Sequence, residues 1–360
     1  INKPLGITHQ YQWNTTNDLT QYTDPRNKIT TIAYTNGSPT SIQTPRGTTN
    51  MTYYPDGNVQ TIVDPLSRTT TMTYDGFHNL NSITDNLSHV TNYSYDLASR
   101  VTSITNANNQ VTSYEYDNND LMFRVTDANN KATNYSYDVN DRLQSVTDAR
   151  NHTTGLTYNS VTGLLDHITD QLSHQTLYTY KDNGLLHSTT NRNSQTMTFN
   201  YDDDNRVQTV TGPSVNRTFT YDLNDNITNL NDLNGNLSYT YDALNRITEY
   251  TYMGLNPVQY IHDEASNIEK IIYSDLSKIV EYTYYDDNLL KTAKDWNNHI
   301  TTYFYLDDGS IDSIKNANGT STKYQYDGAG RLTRLVNRKS DGSIINSYNY
   351  TLDNLGNHIS

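Results

Sequence analysis

The sequence predicts an all-β protein built from tandem hairpins of about 21 residues, joined into one continuous antiparallel strip. Three observations predict it. A Tyr anchor recurs every 20 to 22 residues, at Tyr54, Tyr74, Tyr95, Tyr116, Tyr137, Tyr158, Tyr180, Tyr201, Tyr221, Tyr241, Tyr284, Tyr305 and Tyr326, with weaker matches in phase at Trp13, Tyr34, His262 and Leu352. The residues between anchors are Thr, Ser, Val and Ile, which favour strands, and no helical periodicity is present. The 360 residues are only 34% apolar, with 32 Tyr counted among them, and the mean hydropathy is -0.81. That content is too low for the core of a conventional domain of this length. Disorder is excluded by the opposite features: 18% charged residues, 8 Pro and a dominance of strand formers. A fixed period of this size marks an array in which each unit contacts its neighbours. We read residues 1–360 as a single array of about 17 hairpin units, with no separate catalytic or toxin domain.

One unit, Tyr95 to Glu115, shows each element in order. Asp96 to Ser99 form a turn, and Arg100 to Thr105 a strand. Asn106 to Asn109 form a second turn, and Gln110 to Glu115 a second strand that leads into Tyr116 and Asp117. Four residues after the anchors stand Ser99, Asp120, Asp141, Gly184, Asn205, Asp225, Asn245, Asn288, Gly309, Gly330 and Gly356. These are types that accept a positive φ at low cost. The other turn recurs as TDPRNK (23–28), VDPLSR (63–68), TDNLSH (84–89), TDANNK (126–131), TDARNH (147–152) and TDQLSH (169–174). Its Asp suits an Asx-turn, and Pro at the following position suits the fixed φ there. The stretch Val336–Asn346 reads as an insertion forming a longer hairpin loop, as surface connections tolerate.

A second aromatic lies two residues before most anchors: Tyr93, Tyr114, Tyr135, Tyr178, Phe199, Phe219, Tyr239, Tyr282, Tyr303 and Tyr324. Residues i and i+2 share a strand face. The pattern therefore predicts a double row of aromatics, with cross-strand aromatic pairs worth roughly 0.2–1 kcal/mol each.

The net charge of -14 comes almost entirely from Asp, as Glu occurs only at positions 115, 249, 264, 269 and 281. Asp without Glu points to turns. An acidic chain without a basic stripe is a poor partner for nucleic acid or an anionic membrane. No apolar run is long enough to span a membrane, and the absence of Cys excludes disulfides and Cys-based metal sites.

These residues resemble the YD-repeat, or RHS-repeat, family, whose motif reads roughly Y-D-x-x-G-R-L/I-T, then T-D-x-x-G, then T-x-Y-x-Y-D. The nearest copies are YDGAGRLT (326–333), YDALNRIT (241–248) and YDDDNRVQ (201–208). The anchor pairs that carry the resemblance are Tyr74–Asp75, Tyr95–Asp96, Tyr116–Asp117, Tyr137–Asp138, Tyr201–Asp202, Tyr221–Asp222, Tyr241–Asp242 and Tyr326–Asp327. Asn or Asp often stands where the family prefers Gly, which keeps the turn geometry. The resemblance implies a strip that spirals into a hollow tube or shell outside the cytoplasm. Such walls occur in bacterial RHS and Tc-toxin shells, wall-associated surface proteins and the teneurin barrel. No segment matches the family's Asp-Pro-x-Gly-Leu-type core motif, so no self-cleavage residue carries over.

Geometry limits what the wall can hold. About 34 strands at ~4.8 Å make a strip roughly 160 Å wide, and a strip that wide curls. One complete turn would be a ring about 50 Å across, and two turns would leave a bore near 25 Å, too tight for a folded domain with a radius of gyration of ~13 Å. From Leu352 through Ser360 and on from Ile1 to Trp13, the spacing is one period, so copies joined head to tail would stay in register. The sequence reading therefore favours a non-enzymatic wall element of a self-assembling tube or filament. Its partners would be itself, head to tail or laterally, or the remainder of a larger YD-repeat polypeptide. The alternatives are a segment of an RHS-type shell around an enclosed toxin, and a cell-surface adhesion or carbohydrate-binding module.

No catalytic, cofactor or metal site stands out. His89, His152, His174 and His299 share one repeat position with Lys28, Arg68, Gln110 and Lys131, which reads as a polar strand start. Asp202, Asp203 and Asp204 are consecutive, and Asp222 to Asn226 begin like an EF-hand loop. Ile227 and Leu233, however, replace its required Gly and bidentate Glu. Weak Ca²⁺ binding at stacked acidic turns is the one cofactor reading left. Sequons at Asn36, Asn92, Asn134, Asn226 and Asn318 are the number-for-composition outcome of an Asn- and Thr-rich chain.

Overall fold

The computed structural model describes residues 7–273 and 278–359; the termini Ile1 and Ser360, and with them the head-to-tail register, lie outside the described residues. It contains 33 strands, from Gln10–Trp13 to Ile344–Asn349, and among the described residues no helix. All 33 belong to one antiparallel sheet in which each strand pairs with its neighbours in sequence. The first strand pairs with Leu19–Thr23 alone and the last with Leu332–Arg338 alone, so the sheet does not close through its backbone. Because two kinds of turn alternate, every Tyr-Asp turn lies on one edge of the strip and every Thr-Asp turn on the other.

The register differs between the two edges. Val90–Tyr95 pairs with Leu80–Thr84 over only Ser82↔Asn92, Ile83↔Thr91 and Thr84↔Val90, near the Thr-Asp edge. With Val101–Thr105 it pairs up to the Tyr-Asp edge, from Asn92↔Thr105 to Tyr95↔Val101, through a register shift after Val101. The same shift recurs in hairpin after hairpin at that edge. A bulge bends its strand and increases its twist, so a bulge repeated along one edge curls the whole strip.

In many strands one face is half-buried and the other exposed. In Val90–Tyr95 the half-buried residues include Thr91, Tyr93 and Tyr95, while Asn92 and Ser94 are exposed. The exposed face is tied by hydroxyl pairs, Thr52 with Thr61 at 2.6 Å, Ser136 with Ser145 at 2.7 Å and Thr283 with Thr292 at 2.7 Å. Among the described apolar residues only Ile7, Val210 and Val336 are buried, and none of them completely. The fold is a wall without a conventional core, as its composition requires.

The structure corrects three expectations. The second aromatic row does not pair with itself. Tyr93 lies opposite Ile104, Tyr114 opposite Val125 and Tyr135 opposite Val146. Each period has two strands and only one carries the Tyr, so aromatic and aliphatic residues alternate. Aromatic contact along the sheet occurs where Tyr239, Tyr250 and Tyr260 follow one another at 6.5 and 6.2 Å. The anchor near position 54 is Tyr53: its hydroxyl makes the anchor bond, and Gly57, four residues on, has φ 91°. Finally, Val336–Asn346 is not a longer loop. The strands Leu332–Arg338 and Ile344–Asn349 are extended, with pairing from Arg334↔Asn349 to Arg338↔Ile344, and the connecting turn at 339–343 is of the ordinary size.

The curl brings distant hairpins together. The Thr-Asp edge of residues 24–108 meets the Tyr-Asp edge of residues 263–354, at sequence separations of 237 to 262. Arg68 follows the sixth strand and Asp308 the twenty-ninth, so about 23 strands complete one turn of the spiral. At ~4.8 Å per strand the circumference is about 110 Å and the backbone diameter about 35 Å. The described strip makes nearly one and a half turns, between the one-turn and two-turn geometries considered above.

Candidate functional site

The residues that define the repeat build a stapled edge. In the turn after Tyr95, the Asp96 Oδ1 accepts the backbone N–H of Ala98 at 2.9 Å and of Arg100 at 3.0 Å, and Ser99 takes φ 60°. Asp96 Oδ2 accepts Arg100 Nε at 2.7 Å. The same carboxylate clamp forms at Asp138 with Arg142, Asp202 with Arg206, Asp242 with Arg246 and Asp327 with Arg331. At Asp75 and Asp222 an amide replaces the guanidinium, from Asn79 and Asn226, and Asp117 holds the backbone N–H groups of Asn119 and Leu121. The Arg100 guanidinium, followed by the backbone N–H groups, holds the Asp96 carboxyl below the usual carboxylate range. All eleven turn residues expected to accept positive φ do so, from Ser99 to Gly356.

The anchor Tyr closes the gap left by the short register. Because the ladder stops at Ser82↔Asn92, the Leu80 carbonyl lies beyond it, and the Tyr95 hydroxyl donates to that oxygen at 2.9 Å. Tyr116 donates to Val101, Tyr137 to Met122, Tyr201 to Leu186, Tyr221 to Val207, Tyr241 to Ile227 and Tyr326 to Ile311, at 2.6 to 3.0 Å. Tyr74 differs: its hydroxyl lies 3.7 Å from the Met72 sulfur. Burial raises the Tyr95, Tyr137, Tyr241 and Tyr326 hydroxyls above their ordinary pKa, which keeps them protonated donors.

Arg then links one hairpin to the next. Arg100 lies over the Tyr116 ring at 4.7 Å and reaches Asp120 at 2.6 Å; Arg206 does the same with Tyr221 and Asp225. Where Tyr occupies the Asp place, at Tyr54 and Tyr285, no Arg follows. The extra Tyr hydroxyl bonds forward instead, to Met72 and Tyr303, and its ring meets Tyr74 and Tyr305 edge-on at 6.1 and 5.9 Å.

The Thr-Asp turns use the same clamp. Asp85 Oδ1 accepts Leu87 and His89 N–H, and His89 Nδ1 lies 2.8 Å from Asp85 Oδ2. His152, His174 and His299 sit likewise beside Asp148, Asp170 and Asp295 at 3.0 to 3.3 Å. At each of these positions the His pairs with the Asp of its own turn. Asp202 engages Arg206 and Asp204 lies 3.2 Å from it, and among the described residues no group of three or more His, Asp or Glu is placed to hold a metal ion.

Between the two turns of the spiral lies a polar seam made by side chains alone. Arg26 donates to the Tyr285 carbonyl at 3.2 Å and to Asn288, and Lys28 pairs with Asp286 at 2.9 Å. Arg46 pairs with Asp287, donates to the Leu306 carbonyl at 3.2 Å and lies 5.5 Å from both the Tyr285 and Tyr305 rings. Arg68 bridges Asp64 of its own turn and Asp308 across the seam. Asn86 donates to Gly328, Asn108 to Asp353, and Asn354 to Ala107, at 3.0 to 3.1 Å. Burial works to raise the Asp287 carboxyl, but the Arg46 guanidinium together with backbone N–H groups, Leu289's first, holds it below its ordinary pKa. Sequence reasoning missed these residues. Their one signal was the Pro-Arg pair at 25–26 and 45–46, which marks a turn but not what the turn meets.

The RHS Repeat family matches residues 53–90, 95–132, 124–154 and 313–343. No curated protein matches the chain in sequence. Among solved structures, the crystal structure of TcdB2-TccC3 without its hypervariable C-terminal region is similar, with a TM-score of 0.83 and 13% identity over 96% of this chain and 22% of that one. TcdB2-TccC3-TEV has a TM-score of 0.81 at 13% identity over the same shares. The Photorhabdus luminescens Tc holotoxin pore has a TM-score of 0.64 at 14% identity, over 96% of this chain and 22% of that one. The chain thus spans about a fifth of the length of these neighbours, and at such identities the likeness is one of fold.

Proposed function

The chain carries RHS repeats, and from that premise we propose that it is a stretch of wall in an extracellular RHS-type shell, which encloses a toxin and is not itself a catalyst. The observation that carries the reading is the seam: the strip curls through about 23 strands and locks onto itself edge to edge. Likeness of fold to Tc-toxin structures over nearly the whole chain supports the same reading. It favours the shell over the self-assembling filament.

The wall acts by exclusion. Its backbone is satisfied by the ladder, its turns by Asp, and its strand ends by Tyr hydroxyls, so it needs little buried apolar area. A bore of about 25 Å, the 35 Å backbone ring less side chains, is too narrow for a folded 100-residue domain. The cargo of this stretch would therefore be unfolded, or the wall would be widened and lengthened by further strip.

Electron microscopy of the full-length gene product tests the reading. Discrete hollow particles with density inside are expected. Solid particles, or fibres with a regular axial repeat, would overturn it.

A further inference from the structure

Two departures from the repeat meet at one place on the half-buried face of the sheet. Every interior anchor place from Tyr34 to Tyr326 carries Tyr except His262. Tyr250, opposite Tyr239, stands where Ile104, Val125 and Val146 face the second aromatic in other hairpins. Beside them lies a cavity of about 470 Å³, with Tyr239, Arg246, Ile247, Tyr250, Tyr260 and His262 in its lining. Small-molecule sites span ~300–1,000 Å³. Paired strands flank the cavity on both sides, so it belongs to the body of the wall and not to an edge.

The neighbouring hairpins show what such a place holds. The Tyr241 hydroxyl donates to the Ile227 carbonyl at 2.8 Å, and the Tyr284 hydroxyl to the Ile268 carbonyl at 2.7 Å. The turn Arg covers the ring of the next anchor, Arg100 over Tyr116 at 4.7 Å and Arg142 over Tyr158 at 4.4 Å. At His262 both of these recognition groups remain. Arg246 is clamped by Asp242 and donates to the Asp263 carbonyl at 3.1 Å, as Arg206 does to the Asp222 carbonyl. Ile247, whose carbonyl is in the acceptor place, is 37% exposed, while every other residue in that place from Leu19 to Ile311 is half-buried. The imidazole is shorter than a phenol and has no hydroxyl to offer that carbonyl. Tyr239, Tyr250 and Tyr260 add a continuous aromatic wall. Burial, and then Arg246, lowers the His262 pKa, so the part of the lining it forms is uncharged at neutral pH.

We propose that this cavity binds a phenol, its ring against Tyr250 and Tyr260 beside Arg246 and its hydroxyl donated to the Ile247 carbonyl. The ligand brings what the other hairpins obtain from their own anchor. The inference goes beyond the shell reading and does not depend on it.

Fluorine NMR of p-fluorophenol titrated with the whole chain tests it. One saturable site is expected, with a Kd of about 1 mM or tighter. Fluorobenzene, the same ring without the hydroxyl, should bind at least about tenfold more weakly. His262→Tyr supplies the phenol from the chain itself and should abolish binding. Tyr250→Val should weaken it about tenfold or more. Both variants restore the residue type that the repeat carries at those places, so both should fold. An unfolded peptide with a single Tyr distinguishes the source: competition equal to that of free phenol marks a tyrosyl side chain as the ligand, and no competition marks a small free phenol. No saturable binding up to about 10 mM, equal affinity for fluorobenzene, or binding unchanged in His262→Tyr would overturn the proposal. Failure of the shell reading would appear separately, as loss of the hollow particle in microscopy.

Discussion

Arg46 and Arg150 stand in the same place of the same kind of turn, yet one is locked between two Tyr rings and an Asp while the other faces solvent. The difference lies in the molecule, not in the local sequence. Among the described residues, the Thr-Asp turns of 24–108 meet another turn of the spiral and those of 127–195 do not. Local chemistry fixes the shape of each turn. Accumulated curl, summed over about 23 strands, decides which turns meet.

The largest expected effect breaks that comparison directly. Arg46→Ala leaves Asp287 enclosed without its partner, and breaking such a pair costs about 2–3 kcal/mol, less than a fully buried pair because both ends keep some solvent. Amide exchange of residues 286–310 should quicken, while the hairpins at 95–245 keep their protection, since a repeat array opens locally. Arg150→Ala should change exchange nowhere by more than about 0.5 kcal/mol. Equal effects from the two would mean that the seam does not form.

A smaller loss is expected from Tyr95→Phe. The Leu80 carbonyl loses its donor, at a cost of about 1 kcal/mol, read as faster exchange in 80–105. Tyr74→Phe, whose hydroxyl meets only the weak Met72 acceptor, should cost less. Parity of the two would remove the staple from the account.

Acid should open the seam before the hairpins. Asp287 and Asp308 have folded pKa values below their ordinary value of 3.8. Their stabilisation is complete above that value and is lost as pH falls through the depressed one. Amide exchange at 286–310 should therefore rise selectively below about pH 4. His262, which takes an anchor place, behaves in the same sense at higher pH. Burial, and then Arg246, lowers its pKa from 6.5, so its contribution is complete above that value and fades as pH falls below it. His262→Tyr should abolish the pH dependence of exchange around 247–272. An unaltered profile would show that His262 carries none of it.

The smallest effect sharpens the turn rule. Ser99→Gly relieves a positive φ but frees the unfolded chain, and the two offset to within about 1 kcal/mol in thermal unfolding.

Much of the fold was legible because one period repeats its spacing, turn residues and aromatics together. The positive-φ residues follow from turn chemistry alone. What sequence could not place were features set by neighbours. The anchor at 53 rather than 54 depends on which Tyr reaches the Pro39 carbonyl, and two adjacent Tyr look alike in a string. The extended hairpin at 332–349 shows as extra residues, and nothing local says whether they lengthen the turn or the strands. The aromatic rows alternate with Ile and Val because register pairs unlike strands of the repeat. The seam was invisible, since it rests on the number of strands in one turn.

The central claim is that the strip closes on itself through the seam, and the chain's lack of Cys makes it directly testable. Ala107→Cys with Asn354→Cys places two thiols where the Asn354 amide now meets the Ala107 carbonyl. With a short bifunctional maleimide, peptide mapping at high dilution should find the 107–354 link within single molecules. A chain that stays unlinked, or links only between molecules, would contradict the closed spiral.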